Sequence, residues 1–260
     1  MKYQKMWSIY LLLNKLLKAD EGNFEESAGN SVLSYFVEVP HINQQRTWDC
    51  GLACVLMVLR ALGVHDCDIQ ELGELCSTTS IWTVDLAYLL QKFSVSFTYC
   101  TVTLGANPDF SVETFYKEQL PYDQVRVNML FKEAREAGIY IEGRSVSAKQ
   151  ISEFILSGKY VAIALVDQYK LRHSHLEDVC VSDFYSGSPG YTGHYVVICG
   201  YDTVTNEFEI RDPASSRKRE RVTSCCLEQA HKSFGTDEDL LLISLEKGRN
   251  QDRPVRLFSS

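Results

Sequence analysis

The stretch Trp48-Asp49-Cys50-Gly51-Leu52-Ala53-Cys54 runs straight into Val55, Leu56, Val58 and Leu59. Apolar residues at that density and spacing predict a helix that begins at Cys50. A cysteine at a helix N-terminus feels the positive end of the helix dipole, which favours thiolate over thiol. Gln44 stands six residues upstream, one short loop away. A side-chain amide placed there can swing beside the cysteine and donate a hydrogen bond to a developing oxyanion. What such a thiol still needs is a base.

Far downstream, Gly193-His194-Tyr195-Val196-Val197-Ile198-Cys199 reads as a β-branched strand headed by His194. A second strand, Glu207-Phe208-Glu209-Ile210-Arg211, ends in Asp212-Pro213. A hairpin around residues 202–206 returns Asp212 close to His194. A carboxylate in that place accepts the ring N–H, fixes the tautomer and holds imidazolium beside thiolate. Gln44, Cys50, His194 and Asp212 therefore make a thiol-hydrolase constellation in chain order.

These residues resemble papain-like cysteine peptidases, and most closely the peptidase domains that remove double-glycine leaders from bacteriocins. The matching positions are Gln44, Asp49 to Ala53, the His194 strand and Asp212-Pro213. Three longer motifs, Trp48 to Cys54, Ser80 to Leu89 (SIWTVDLAYL) and Ser233 to Asp239 (SFGTDED), are similar to the plant soluble guanylyl cyclase family. Its animal counterparts are called guanylyl-cyclase-domain-containing proteins. The first resemblance implies an α+β papain-like fold, with a helical half carrying Cys50 and an antiparallel sheet half carrying His194 and Asp212. It implies a thiol hydrolase that needs no cofactor and acts on a peptide or small molecule. The second implies cyclisation of GTP to cyclic GMP with Mg or Mn. The chain holds no Gly-x-x-x-x-Gly-Lys-Ser/Thr loop and no glycine-rich strand-to-helix turn. A third reading of the same scaffold is an inactive interaction module.

At 260 residues and 45% hydrophobic, the chain can bury one large domain. A net charge of −8 speaks against nucleic acid as partner. Nine cysteines without regular spacing read as reduced thiols in a cytoplasmic compartment. Residues 6–17 form an apolar run too short to span a bilayer, read as an amphipathic helix for packing on the domain or on a protein partner. Residues 1–30 are thus an N-terminal segment and linker, 31–246 the domain and 247–260 a flexible tail.

The remaining elements follow from pattern. Strands are predicted at 35–39, 97–103, 160–166 (central) and 240–245. Helices are predicted at 50–62, 68–76 with an aspartate cap, 83–93 capped by Thr83, 111–120, 123–137 and 147–156. Residues 101–143 and 167–193 exceed a minimal peptidase domain, and the second is read as a lid. His173, His175, Glu177, Asp178 and Cys180 are metal-ligand types, but their loop reads as solvated surface. Asp237-Glu238-Asp239 reads as a turn, and Arg217 to Arg221 as a solvated basic face.

Overall fold

The structure, a computed structural model, describes residues 33–113, 118–173 and 191–246. The N-terminal apolar run, the linker, the tail, His175, Glu177, Asp178 and Cys180 lie outside these residues.

An eight-stranded sheet organises the fold. Its strands are β1 (Ser34–Phe36), β2 (Phe97–Thr101), β3 (Ile141–Gly143), β4 (Tyr160–Asp167), β5 (Gly193–Asp202), β6 (Glu207–Arg211), β7 (Glu220–Thr223) and β8 (Leu240–Ser244). The order is β3-β2-β8-β4-β5-β6-β7, with β1 paired to the far end of β5. All pairs are antiparallel except β2 with β3. The parallel pair corrects the expectation of a purely antiparallel sheet. It arises because β3, a strand absent from the sequence reading, returns across the sheet edge after an intervening helix.

The helices are α1 (Cys50–Ala61), α2 (Ile69–Cys76), α3 (Thr83–Lys92), α4 (Leu120–Glu133), α5 (Ala148–Leu156), α6 (Gln168–His173) and α7 (Ser224–His231). Helix α1 is buried on every side from Cys50 to Leu59, which is why its sequence lacks a polar stripe. It packs with Val161, Ile163, Leu165, Tyr195, Val197, Cys199, Leu241 and Ile243 in one core. The alternate residues Ala162, Ala164, Val166, Val196 and Ile198 are equally buried, on a sheet packed by α5 and α7 as well. A strand covered on both faces reads as an unbroken apolar run, as β4 and β5 do. Each of these fully buried Leu or Ile side chains contributes about 2 kcal/mol.

Local chemistry fixes the helix starts. Asp68 caps α2 in a capping box with Glu71, and Ser147 caps α5 with Gln150. Thr83 does not cap α3. It is the first helical residue, Trp82 is the cap, and the Asp85 carboxylate accepts the Trp82 N–H at 2.8 Å. Of the helix expected at 111–120, residues 114–117 lie outside the described residues. Pro108–Val112 forms a 3₁₀ turn capped by Asn107, and α4 begins at Leu120 with a proline at its second position. The basic run at 217–221 leads into β7, where Arg221 lies near Asp202 and Glu207.

Candidate functional site

Cys50 is the first residue of α1, and its N-cap Asp49 is turned back into the preceding loop. The Asp49 carboxylate accepts the N–H groups of Gln45 and Arg46 at 3.1 and 3.0 Å. It therefore shapes the approach to the cysteine rather than capping the helix. Gly51 lets α1 close on the sheet. A Cβ there would stand 3.0 Å from Tyr195 Cδ2 and 3.0 Å from Leu86 Cδ1.

His194 opens the buried part of β5 and is 3% exposed, and Asp212, one residue past β6, is 2% exposed. Asp212 Oδ1 lies 2.6 Å from His194 Nε2 and accepts the Ala214 N–H at 2.8 Å. The Cys50 thiol acts on the same ring and helps to raise it. With Nε2 taken by Asp212, Nδ1 is the atom left to face the sulfur. Two residues 18 apart in the chain are thus joined imidazole to carboxylate, with the helix-borne thiol acting on the same ring.

Electrostatics favours a charged centre. Burial alone would push His194 down, but hydrogen bonds and charge from Asp212 and Cys50 outweigh it and raise the imidazole to about 9. Burial would raise Asp212, yet the His194 bond and charge, the Ala214 N–H and Arg172 together hold it below the usual carboxylate range. Arg172 Nη2 stands 3.9 Å from Asp212 Oδ2 and is half exposed. Cys54, one turn below Cys50, is fully buried, and burial first, then Cys50 and Asp212, push its thiol well up. It is a core residue.

Gln44 donates from Nε2 to Arg46 O at 2.7 Å, while its Oε1 is buried without a partner. One of its two N–H protons is spent inside its own loop and the other is free of protein. The loop itself is fastened to the far side of the site. Arg211 Nε donates to Val39 O at 2.8 Å, and His41 Nε2 lies 3.0 Å from Asp212 O. Asn43 Nδ2 donates to Pro213 O at 3.1 Å and to Ser215 O at 2.7 Å, and the Gln44 N–H donates to Pro213 O at 2.9 Å. His41, Asn43 and Arg211 escaped the sequence reading. Their only signal was position, on either side of residues already singled out.

Among the described residues seven cysteines are free thiols, but Cys225 is disulfide-bonded. The expectation of reduced thiols throughout is corrected on that point; spacing in the chain does not encode which sulfurs meet in space. Among the described residues, no helix is long and apolar enough to cross a membrane.

Fold and site together define an α+β protein in which a helix-borne thiol meets a sheet-borne imidazole and carboxylate. Residues 39–243 match the family described as guanylylate cyclase, and the chain belongs to that family. It is 56% identical to Guanylyl cyclase 1 of Arabidopsis thaliana, over 95% of this chain and 99% of that one. Two solved structures are similar at low identity. A C39-like peptidase from Bacillus anthracis gives a TM-score of 0.48 at 13% identity, over 81% of this chain and 96% of that one. Xylellain, a cysteine protease from Xylella fastidiosa, gives 0.43 at 12%, over 87% and 92%.

Proposed function

We propose that Cys50, His194 and Asp212 form a nucleophilic thiol centre that carries out acyl transfer to water. The observation behind this reading is His194 held at 2.6 Å by the buried Asp212 carboxylate, with the Cys50 thiol among the groups that act on its ring. The thiolate attacks a carbonyl carbon, and the carbonyl electron pair moves onto oxygen. That oxyanion is received by the Cys50 backbone N–H and the unspent N–H of Gln44. The imidazolium gives its proton to the leaving amine or alcohol as the bond to it breaks, leaving a thioester on Cys50. His194, now neutral, takes a proton from water. The hydroxide attacks the thioester, and acid and thiol are released. The substrate is a peptide or small acyl compound, and no cofactor takes part. Iodoacetamide-type labelling and hydrolysis of a generic ester or peptide, compared in wild type and Cys50→Ala, test it. Both should vanish in the variant, and retained hydrolysis overturns the reading.

A second reading has its own support. The family match and the 56% identical relative named a guanylyl cyclase favour conversion of GTP to cyclic GMP. No hydrolase is comparably similar among these relatives, so on sequence likeness this reading stands ahead. Cyclisation would call on Mg or Mn held by carboxylates and on a base for the ribose hydroxyl. Among the described residues no group of three His, Cys, Asp or Glu is placed to hold a metal ion. Asp239, the last acid of the Asp237-Glu238-Asp239 turn, is only 4% exposed. The described residues therefore do not fit a carboxylate-held metal, and no step is assigned through one. Metal-dependent cyclic GMP formation that is indifferent to Cys50→Ala would replace the thiol reading with this one.

A further inference from the structure

Beside the thiol centre stands a cation that the chemistry above leaves idle. Arg172 lies on α6, which follows directly from the end of β4. In the sheet Val166 of β4 pairs with His194 and Asp167 with Gly193, and the Gln168 N–H donates to Thr192 O at 3.0 Å. The start of α6 is therefore one strand spacing, about 5 Å, from the chain entering His194. Arg172 comes one helical turn after Gln168 and brings its guanidinium to the outer side of Asp212. Asp212 Oδ1 meets His194 and the Ala214 N–H, whereas Oδ2 faces Arg172 Nη2 at 3.9 Å.

This contact is not that of a structural ion pair. A guanidinium that holds a carboxylate in place closes to about 2.8 Å, often through both arms of its fork. Arg172 stands well outside that range and its side chain is half exposed, while the Asp212 side chain is 3% exposed. Asp212 is already secured by His194 and Ala214, both closer. Among the described residues Arg172 has no other ion pair and no hydrogen bond. Its N–H donors are thus unspent, in a chain whose net charge is −8. The arginine of the cysteine loop is placed differently, since Arg46 stacks over the Trp48 ring at 5.4 Å.

Acyl transfer dictates which part of a substrate such a cation meets. The oxyanion turns toward Gln44 and the Cys50 N–H, and the leaving atom takes its proton from His194. The leaving portion therefore departs past the imidazole, on the side bordered by Asp212 and Arg172. A planar guanidinium with parallel N–H bonds to give matches a carboxylate. One positive charge beside Asp212 suits a single negative charge, whereas a phosphate chain calls on several cations. We infer that the thiol centre takes acyl compounds whose leaving portion carries a free carboxylate close to the scissile bond, and that Arg172 binds that carboxylate. An N-acylated amino acid, or a peptide losing its last residue, has this form, because the carboxyl group and the leaving nitrogen share one carbon atom.

Arg172 owes this role to the acyl transfer proposed above, so the assay keeps the two apart. Full-length wild type, Cys50→Ala, Arg172→Gln and Arg172→Lys are each given two thioesters of N-acetylglycine. One releases mercaptoacetate and the other mercaptoacetamide, leaving thiols that match in size and differ in charge. Wild type should prefer the mercaptoacetate thioester by about tenfold in kcat/KM, chiefly through KM. Arg172→Gln should lose that preference, and Arg172→Lys should keep part of it, since the charge stays while the fork is gone. Equal rates on both thioesters in wild type, or a preference that survives in Arg172→Gln, overturns the role of Arg172 and leaves the thiol reading standing. Hydrolysis of neither thioester beyond the Cys50→Ala background removes the thiol reading and the carboxylate subsite with it.

Discussion

His194 and Asp212 show what one buried pair does for both fold and chemistry. The imidazole is raised on folding from 6.5 to about 9, so the folded state favours its charged form. The stabilisation is complete below 6.5 and is lost as pH rises through about 9. Its size is on the order of 3 kcal/mol by linkage. Asp212→Asn keeps the shape and removes the charge. Its expected effects are a fall of the His194 titration toward the ordinary histidine value and a loss of about 3 kcal/mol at neutral pH. Ring-proton NMR and urea unfolding measure the two; an unmoved His194 titration would show that Asp212 is not what holds the proton. At Asn43, two carbonyl bonds end on one side chain. Asn43→Ala should cost about 1–2 kcal/mol by the same unfolding measurement, with a slower reaction of Cys50 as the loop loosens.

Among the elements, α1 and β5 carry the site because they pack without a side chain between them at Gly51. Gly51→Ala places a methyl 3.0 Å from the Tyr195 ring and from Leu86. Neither neighbour has free space, so a destabilisation of about 1–3 kcal/mol is expected in thermal or urea unfolding. A neutral outcome would mean that the helix moves off the sheet at little cost. The same two elements were the most legible in the sequence. Cys50 to Leu59 is apolar on all sides, and Tyr195 to Cys199 is an uninterrupted β-branched run, so burial left its mark on every residue. The pairing of His194 with Asp212 was legible too, because a hairpin returns a strand end to a strand start. Elements held by tertiary partners were not. Strand β3 is three residues long and exists because Tyr99 to Thr101 offer it an edge. Thr83 has the composition of a cap, but its hydroxyl turns to Tyr195 instead. The roles of His41, Asn43 and Arg211 lie in bonds to carbonyls, which leave no trace in residue type.

For the molecule as a whole, opposing titrations should shape its stability against pH. Asp212 is lowered below 3.8, so its contribution is present above 3.8 and disappears as pH falls through its folded value. His194 and Asp239 both erode stability in the other direction, through about 9 and about 7. Calorimetry should therefore find the highest unfolding midpoint on the acid side of neutrality, and a maximum above pH 8 would contradict these assignments. The segment from Val39 to Gln44 makes a further point about control. The side-chain bonds that join it to the Arg211–Ser215 stretch end on main-chain oxygens, of Val39, Asp212, Pro213 or Ser215. Acceptors of that kind survive a change of side chain at their own positions, and Pro213 shows that even proline keeps one. Mutational drift at residues 213 and 215 therefore leaves the join between the cysteine loop and the acid loop intact. Only the donors can cut it, so the freedom to loosen this site has been gathered onto His41, Asn43 and Arg211.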